Sequence, residues 1–382
     1  MENPAFAVES VILFYPPFDH PLWLLPAFLI GACIGSFLNV AIYRIPLGMS
    51  VNEPNRSFCP LCKTPIPMRL NVPLVSWLWL RGKCASCKAP IPFRYFAVEL
   101  LTALLFVAMW KCFPPQVVVF LWAYAALLVT ITFIDAEHLI IPTSLTWAGS
   151  AMGLAAAAVY PRLAAMAGDH EMSWREGMLR SVVGWAVCFG GLWMVVELGK
   201  MAFGKKAMTF DKPTEWKLRE PETDNDAMEF VIGDEAIAWW DIFARKTDRL
   251  VITAEDIREN GVSIGKGQVV LREDSVEYPD GRTAKYEDIE SLDGTAIRAV
   301  IPREAMGMGD VHLLAMVGAY FGWECGFFTL FAACVLAVLA AVVGRIGFGI
   351  RLPFGPFLAA GSLGWAFGGW KLWQWYLEML GL

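Results

Sequence analysis

Four cysteines form two closely spaced pairs with the spacing of a metal site. Cys59 and Cys62 make the first C-x-x-C pair, and Cys84 and Cys87 make the second about twenty residues later. Two such pairs match the pattern of a tetrahedral four-thiolate zinc site. A closed four-sulfur shell leaves no position for water, so this zinc would be structural. Two disulfide or redox pairs are the alternative interpretation.

Two aspartates lie at the ends of apolar runs, where a carboxylate is costly and therefore informative. Asp135 ends one run, and Asp310 follows a Gly-Met-Gly sequence and begins another. Two carboxylates held close in a poorly solvated place share one proton, so one can activate a water while the other polarises a carbonyl. That is the chemistry of an aspartic protease. The alternatives are that each aspartate caps a helix, or that both bind a metal together with His138 and His312.

Two further carboxylates, Glu99 and Glu197, lie within apolar runs. Glu99 follows a basic loop and could pair with one of its bases. For either glutamate, a structural ion pair and a functional role are both open.

These residues belong to a chain whose composition suits a lipid bilayer. Of its 382 residues, 57% are hydrophobic and 18% are charged, which excludes a soluble enzyme and a nucleic-acid binder with a broad basic face. The apolar runs predict an α-helical polytopic membrane protein with about eight transmembrane helices. The runs are residues 21–42, 96–110, 117–134, 145–160, 182–198, 311–321, 327–343 and 356–376. The second and sixth fall short of the roughly 20 residues that cross a bilayer.

The loop at residues 44–94 sets the orientation of these helices. It carries eight basic residues against the single acid Glu53, so it should face the cytoplasm. Alternation then places the N-terminus outside, and the turn at 135–142 and the loop at 345–351 inside. Residues 1–21 lack a basic n-region, so no cleaved signal peptide is expected. This topology places Asp135 and Asp310 at the same cytoplasmic ends of separate helices.

An acidic insert interrupts the membrane body. Residues 201–306 carry a net charge of −8, whereas the rest of the chain carries +2. Short β-rich runs at 250–253, 268–272 and 297–301, with a turn at 278–281, predict a small, mainly β cytoplasmic domain. Its predicted role is a regulatory or docking surface. The chain thus divides into five segments: the first helix (1–43), the zinc loop (44–95), four helices with Asp135 (96–202), the insert (203–303), and three helices with Asp310 (304–382).

The order of these motifs resembles the type IV prepilin peptidases, the bifunctional leader peptidase/N-methyltransferases of bacterial inner membranes. The resemblance covers nearly all of the membrane body. It rests on GSFLNV at 35–40, YRIP at 43–46, the two cysteine pairs, NVPLVS at 71–76, LRG at 80–82, RY at 94–95, VE at 98–99, Asp135 ahead of IP at 141–142, GMGD at 307–310 and PFGPFL at 353–358.

The resemblance implies an intramembrane aspartyl endopeptidase. Its substrates would be type IV prepilins and pseudopilins, cut after a glycine at the cytoplasmic face of the inner membrane. It would then methylate the new N-terminal amine, with S-adenosylmethionine as methyl donor. The family's catalytic aspartates map onto Asp135 and Asp310. The cysteine loop is the natural place for methyl transfer, and its Zn²⁺ would hold the shape of the loop.

This chain departs from the family at two positions beside the aspartates. Thr143 stands where the family usually has Asp, and His312 stands where it usually has Lys. Neither change removes a catalytic carboxylate. Two alternative functions remain at this stage: a peptidase without methyltransferase activity, and a proton-coupled transporter that uses the same aspartates. The transporter predicts inverted repeats, and the sequence shows no convincing one.

Overall fold

The computed structural model describes residues 20–53, 57–59, 61–165, 172–219, 228–243, 248–302, 307–345 and 352–381. Two compact units are present, one comprising Met1–Leu192 with Gly309–Leu382 and the other Trp193–Met308. The first nineteen residues, which the sequence places on the outer side of the membrane, are not among the described residues. Neither are residues 346–351 of the loop that is predicted to face the cytoplasm.

Every one of the eight apolar runs is helical. In lipid only a helix or a closed barrel satisfies all backbone polar groups, so long apolar runs fold this way. The helices are α1 (Leu24–Arg44), α2 (Val75–Trp79), α3 (Phe93–Cys112), α4 (Pro115–His138), α5 (Thr143–Val159), α6 (Trp174–Phe203), α7 (Trp239–Ile242), α8 (Met308–Phe321), α9 (Trp323–Val343), α10 (Gly355–Gly364) and α11 (Trp370–Leu380). Short α2 and α7 lie outside the apolar runs.

Five of these helices are long and apolar enough to cross a bilayer, counting only the described residues. They are Pro21–Arg44, Phe93–Cys112, Pro115–His138, Trp174–Met201 and Trp323–Val343. The short second run is completed by flanking residues, which extend α3 to 20 residues. The sixth run stays short, because α8 has 14 residues. The polytopic architecture is confirmed, and the number of eight crossings remains a prediction.

The last apolar run differs from the single uninterrupted helix that its composition predicts. A π-helical turn at Trp365–Gly369 separates α10 from α11, and Gly368 within it has a φ of 126°. Only glycine adopts such a backbone conformation without strain. The run therefore bends because a glycine at this position permits a local change of helical geometry.

Helices α1 and α3 pack closely because α1 presents glycines to α3. A Cβ at Gly35 would lie 2.7 Å from the Cα of Glu99, so no larger residue fits there. Small residues at a helix interface allow such close backbone approach in membrane proteins. The contact places the start of α3 directly against the second half of α1.

The second unit contains one antiparallel sheet of eight strands. Its spatial order is β3-β2-β1-β8-β4-β5-β6-β7. The strands are β1 (Lys205–Arg219), β2 (Glu229–Ile232), β3 (Glu235–Ala238), β4 (Leu250–Glu259), β5 (Val262–Leu271), β6 (Ser275–Glu277), β7 (Thr283–Lys285) and β8 (Leu292–Pro302). Strands β4, β5 and β8 contain the three predicted β-rich runs.

Strand β1 was not apparent from the sequence, although it is the longest strand of the sheet. It contains Pro213, and a proline removes a ladder hydrogen bond and argues against a strand. The structure accommodates it by a register shift between Thr209 and Thr214 in the pairing with β8. The sheet buries one apolar core, which includes Trp216, Phe230 and Ile252.

Candidate active site

Asp135 lies in the last turn of α4 and is 5% exposed. The helix ends just after it, because Leu139 adopts a left-handed conformation and donates its N–H to the Asp135 carbonyl oxygen at 2.9 Å. The side chain of Asp135 does not cap its own helix. Its Oδ2 accepts a hydrogen bond of 2.8 Å from the backbone N–H of Gly355, at the start of α10. This bond joins residues that are 220 positions apart in the chain.

Because Gly355 has no side chain, there is room beside it for the Asp135 carboxylate. A Cβ at residue 355 would lie 2.7 Å from Asp135 Oδ2 and 3.2 Å from Ile141 Cδ1. Both separations are shorter than ordinary van der Waals contacts. Glycine at this position therefore allows the start of α10 to approach and hydrogen-bond the carboxylate.

Asp310 is the third residue of α8 and is 9% exposed. Its Oδ1 is buried, and it has no hydrogen-bond partner among the described residues. The preceding Gly309 packs on Ile141, since a Cβ there would lie 2.7 Å from the Ile141 Cβ. Ile141 thus contacts both Gly355 beside Asp135 and Gly309 beside Asp310. The start of α8, which carries Asp310, and the start of α10, which contacts Asp135, therefore both pack on Ile141.

These positions bear on the alternatives for the two aspartates. Asp135 stands at the C-terminal end of a helix, so the interpretation as an N-cap is wrong for it. His312 packs against the rings of Trp147 and Phe189, at centroid distances of 5.8 and 5.3 Å. In the part of the chain that the structure describes, no cluster of three or more metal-binding side chains includes an aspartate or a histidine.

The four predicted zinc ligands converge. The Sγ atoms of Cys59, Cys62, Cys84 and Cys87 all lie within 4.8 Å of one another. The Cys59 and Cys87 sulfurs are 3.9 Å apart. Tetrahedral zinc with bonds of about 2.3 Å requires sulfurs about 3.8 Å apart, so this donor set fits Zn²⁺. None of the four is in a disulfide bond, which argues against the alternative of two disulfide pairs.

Two equivalent hairpins present the cysteine sulfurs. In the first, the Cys59 N–H donates to Thr64 and the Lys63 N–H donates back to the Cys59 carbonyl oxygen. In the second, Cys84 and Lys88 make the corresponding bonds. Lys63 and Lys88 both have positive φ, of 56° and 60°, which closes each turn tightly. The local chain therefore positions two sulfurs per turn.

The surroundings of the sulfurs favour the thiolate at two of the four positions. Hydrogen bonding by Thr64, whose hydroxyl lies 3.3 Å from the Cys62 sulfur, lowers the pKa of Cys62 to about 6. The backbone N–H groups of Cys87 and Ser86 lower the pKa of Cys84, and that of Cys87 has the larger effect. The Ala89 N–H acts in the same direction on Cys87, but burial and the other sulfurs raise the pKa of Cys87 to about 11. Thiolates are the form that binds metal.

Comparison with known proteins assigns a family to this arrangement. A sequence model of the Bacterial Peptidase A24 N-terminal domain matches residues 29–113, and a model of the Type IV leader peptidase family matches residues 292–342. The chain is also similar to a prepilin leader peptidase/N-methyltransferase of Aeromonas hydrophila, with 34% identity over 216 residues, 48% of this chain and 67% of the relative. It is similar to another of Klebsiella pneumoniae, with 33% identity over 216 residues, 53% of this chain and 87% of the relative. The chain belongs to the prepilin leader peptidase/N-methyltransferase family.

A third member of this family, from Myxococcus xanthus (strain DK1622), is 43% identical over 150 residues, 37% of this chain and 42% of the relative. The chain thus spans less than half of that relative's length. No solved structure matches the chain. Of the two family models, the first covers both cysteine pairs and α3, and the second covers Asp310. Asp135 lies outside both.

The two other carboxylates of the apolar runs have different surroundings. Glu99 is 9% exposed, and its Oε2 accepts a 2.6 Å hydrogen bond from the Leu74 backbone N–H. Among the described residues, which do not include Arg56 of the basic loop, Glu99 forms no ion pair. Glu197 lies 3.9 Å from Lys200 one turn later in α6, which is an ordinary helical ion pair.

Sequence reasoning missed two residues of functional interest, Gly355 and Asn39. Gly355 was visible only as part of a motif near the C-terminus, and Asn39 only as part of the motif at 35–40. Their contacts depend on helices distant in sequence, so neither residue carried a local signal of its role. The side chain of Asn39 donates to the Tyr95 carbonyl oxygen at 3.0 Å.

Proposed function

We propose that this chain removes the leader peptides of type IV prepilins and pseudopilins and then N-methylates the new N-terminal residue. The two activities follow from membership of the family. The roles of individual residues are our own assignment. The observation that carries it is that Asp135 and Asp310 are both buried, at the end of α4 and the start of α8, beside glycines that pack on Ile141.

The two aspartates have unlike surroundings, which suits them to different steps of hydrolysis. The Gly355 N–H donates to Asp135 and stabilises a negative charge there, so Asp135 takes the proton of the attacking water. Asp310 Oδ1 has no donor among the described residues, so Asp310 carries the shared proton and donates it to the scissile carbonyl oxygen. The hydroxide attacks the carbonyl carbon and gives a tetrahedral gem-diol. The C–N bond then breaks as the leaving nitrogen takes the proton from Asp135, and the carbonyl reforms as one hydroxyl returns its proton to Asp310. The product is a peptide with a new N-terminal amine.

The proposed site of action is the cytoplasmic face of the bacterial inner membrane. The basic loop between α1 and α3 supports this orientation, and the ends of α1 and α4 then lie on the same side as the start of α3. We place eight crossings in the bilayer, with α5, α8 and the α10–α11 pair added to the five helices of full length. Cleavage after a glycine at this interface suits a substrate whose apolar segment stays in the membrane.

The four cysteines would hold Zn²⁺ as a structural ion. Because all four positions of a tetrahedral zinc are filled by sulfur, the ion would supply shape to the loop and no catalytic water. S-adenosylmethionine would supply the methyl group that is transferred to the amine.

Loss of the zinc ligands should separate the two activities. We expect the Cys59→Ser/Cys84→Ser double variant to lose its bound zinc and its methyltransferase activity. It should still remove leaders, because Asp135 and Asp310 lie on α4 and α8. Zinc content of the purified protein and the mass of the processed pilin are the measurements. Cys112→Ser, which changes an exposed cysteine at the end of α3, is the matched control. Full zinc content in the double variant would contradict the assignment.

Mass spectrometry of the processed pilin tests the function as a whole. The expected N-terminus begins directly after the leader glycine and carries one added methyl group. A cleaved but unmethylated N-terminus would indicate a peptidase alone. An intact leader, with the protein present in the membrane, would contradict the proposed function.

A further inference from the structure

A small cavity with a mixed polar and apolar lining lies beside the four-cysteine loop. It occupies about 120 Å³ between the second half of α1, the start of α3 and the loop that joins them. Its lining includes Ser36, Asn39, Arg44, Asn71, Tyr95 and Glu99. Polar groups are costly to bury without partners, so the polar side chains of this cavity that have no partner indicate what chemistry a ligand would need.

The first indication of that ligand's chemistry is Asn39, which is 3% exposed. Its Nδ2 donates to the Tyr95 carbonyl oxygen at 3.0 Å, and this bond fixes the orientation of the amide, because a carbonyl oxygen can only accept. The other end, Oδ1, is buried and has no partner in the described residues. Burying an acceptor without a donor destabilises the protein, and a ligand can supply the donor that this oxygen lacks.

The second indication is Glu99, which lies one helical turn after Tyr95 on α3. One carboxylate oxygen holds the Leu74 N–H at 2.6 Å. No basic side chain is paired with Glu99 in the ranges that the structure covers. The nearby Arg44 donates to the carbonyl oxygens of Ser50 and Val51, at 3.2 and 3.0 Å. The cavity therefore presents a buried carboxylate that has no ion-pair partner among the described residues.

These acceptors suit a group with several N–H donors and a positive charge. A primary ammonium has three donors and one charge, which match Asn39 Oδ1 and the Glu99 carboxylate. The cavity volume agrees, since pockets for drug-sized ligands measure roughly 300–1,000 Å³ and this one holds only a small group. Tyr43 and Phe58 in the lining suit the apolar segment that would follow such a group.

We propose that this cavity receives the N-terminal amine that leader removal releases, and that Glu99 takes a proton from it before methyl transfer. This inference rests on the proposed function. The ammonium gives one proton to the Glu99 carboxylate and becomes a neutral amine. The nitrogen lone pair then forms a bond to the methyl carbon of a sulfonium donor, while the electrons of the broken C–S bond stay on sulfur. The products are a methylated ammonium, a thioether and protonated Glu99.

The position of the cavity agrees with a substrate that passes from the peptidase site at Asp135 to this cavity. Arg94, next to Tyr95 at the start of α3, forms an ion pair with Glu137, two residues after Asp135 on α4. The ends of α3 and α4 that carry the amine pocket and one catalytic aspartate are thus joined. A new N-terminus needs to move only between neighbouring helix ends.

The test uses the full-length enzyme in lipid nanodiscs and the variant Glu99→Gln. Glutamine keeps an oxygen that can hold the Leu74 N–H, so a purely structural role of Glu99 would survive the change. Glu197→Gln is the matched control on α6. The first measurement is binding, without methyl donor, of a leaderless pilin peptide with either a free or an acetylated N-terminus. The second is the fraction of processed pilin that is methylated.

We expect the wild-type protein and Glu197→Gln to bind the free amine at least about tenfold more tightly than the acetylated peptide. Glu99→Gln should bind both peptides alike and methylate roughly 10²-fold more slowly, with leader removal and zinc content retained. Asn39→Leu should also reduce the preference for the free amine.

Three results would overturn the inference: wild-type methylation by Glu99→Gln, an unchanged preference for the free amine, or loss of leader removal along with methylation in a zinc-bound variant. Absence of cleavage and methylation in the wild-type protein would instead contradict the proposed function.

Discussion

Replacing either buried aspartate should abolish leader removal. Asn fills the volume of Asp but cannot take a proton from water or share one with a second carboxylate, so Asp135→Asn and Asp310→Asn each remove a step of the hydrolysis. General acid–base catalysis contributes roughly 10²–10⁴-fold to rate, and we expect a loss of at least that size. The measurement is the fraction of prepilin whose leader is removed, alongside the amount of each variant in the membrane.

Two controls separate this effect from misfolding. Asp211→Asn changes an exposed aspartate of β1 and should cleave like the wild-type protein. Both active-site variants should still methylate a leaderless pilin peptide, because the amine cavity is built from α1, α3 and the cysteine loop. Normal cleavage by Asp135→Asn or Asp310→Asn would show that this pair is not the catalytic one.

The substitution Gly355→Ala should slow leader removal although it replaces neither aspartate. The new methyl group would lie 2.7 Å from Asp135 Oδ2, so the carboxylate or the start of α10 must move. The hydrogen bond from the residue 355 N–H would lengthen, and Asp135 would lose the donor that stabilises its charge. A misplacement of about 1 Å can cost about 10²-fold in rate, which is the decrease in leader removal that we expect.

Gly190→Ala is the matched control for this prediction, because a Cβ at Gly190 in α6 meets no heavy atom within 4 Å. It should leave cleavage unchanged. Zinc content and methylation of a leaderless peptide should stay at the wild-type level in both glycine variants. Leader removal by Gly355→Ala at the wild-type rate would mean that the contact between α10 and Asp135 does not position the catalytic carboxylate.

Local sequence determined those features of the protein that depend on neighbours along the chain. The eight apolar runs are helical because a run without polar side chains can satisfy its backbone in lipid only by internal hydrogen bonds. Each C-x-x-C turn brings its own two sulfurs together because they lie only three residues apart in the chain. Family membership likewise rests on motifs that can be read in order from the printed sequence.

Tertiary structure alone decided which of these features meet. The hydrogen bond from Gly355 to Asp135 spans 220 positions, and no periodicity in the sequence encodes it. The sequence left open whether Glu99 pairs with a base or has a functional role. The close approach of α1 and α3 at Gly35 places it where its carboxylate accepts the Leu74 N–H. The Asn39 oxygen, which has no partner among the described residues, is likewise placed by packing. The sequence thus determines the helices and the chemical groups they carry. Long-range packing decides which of these groups are buried away from water and which hydrogen-bond partners they have.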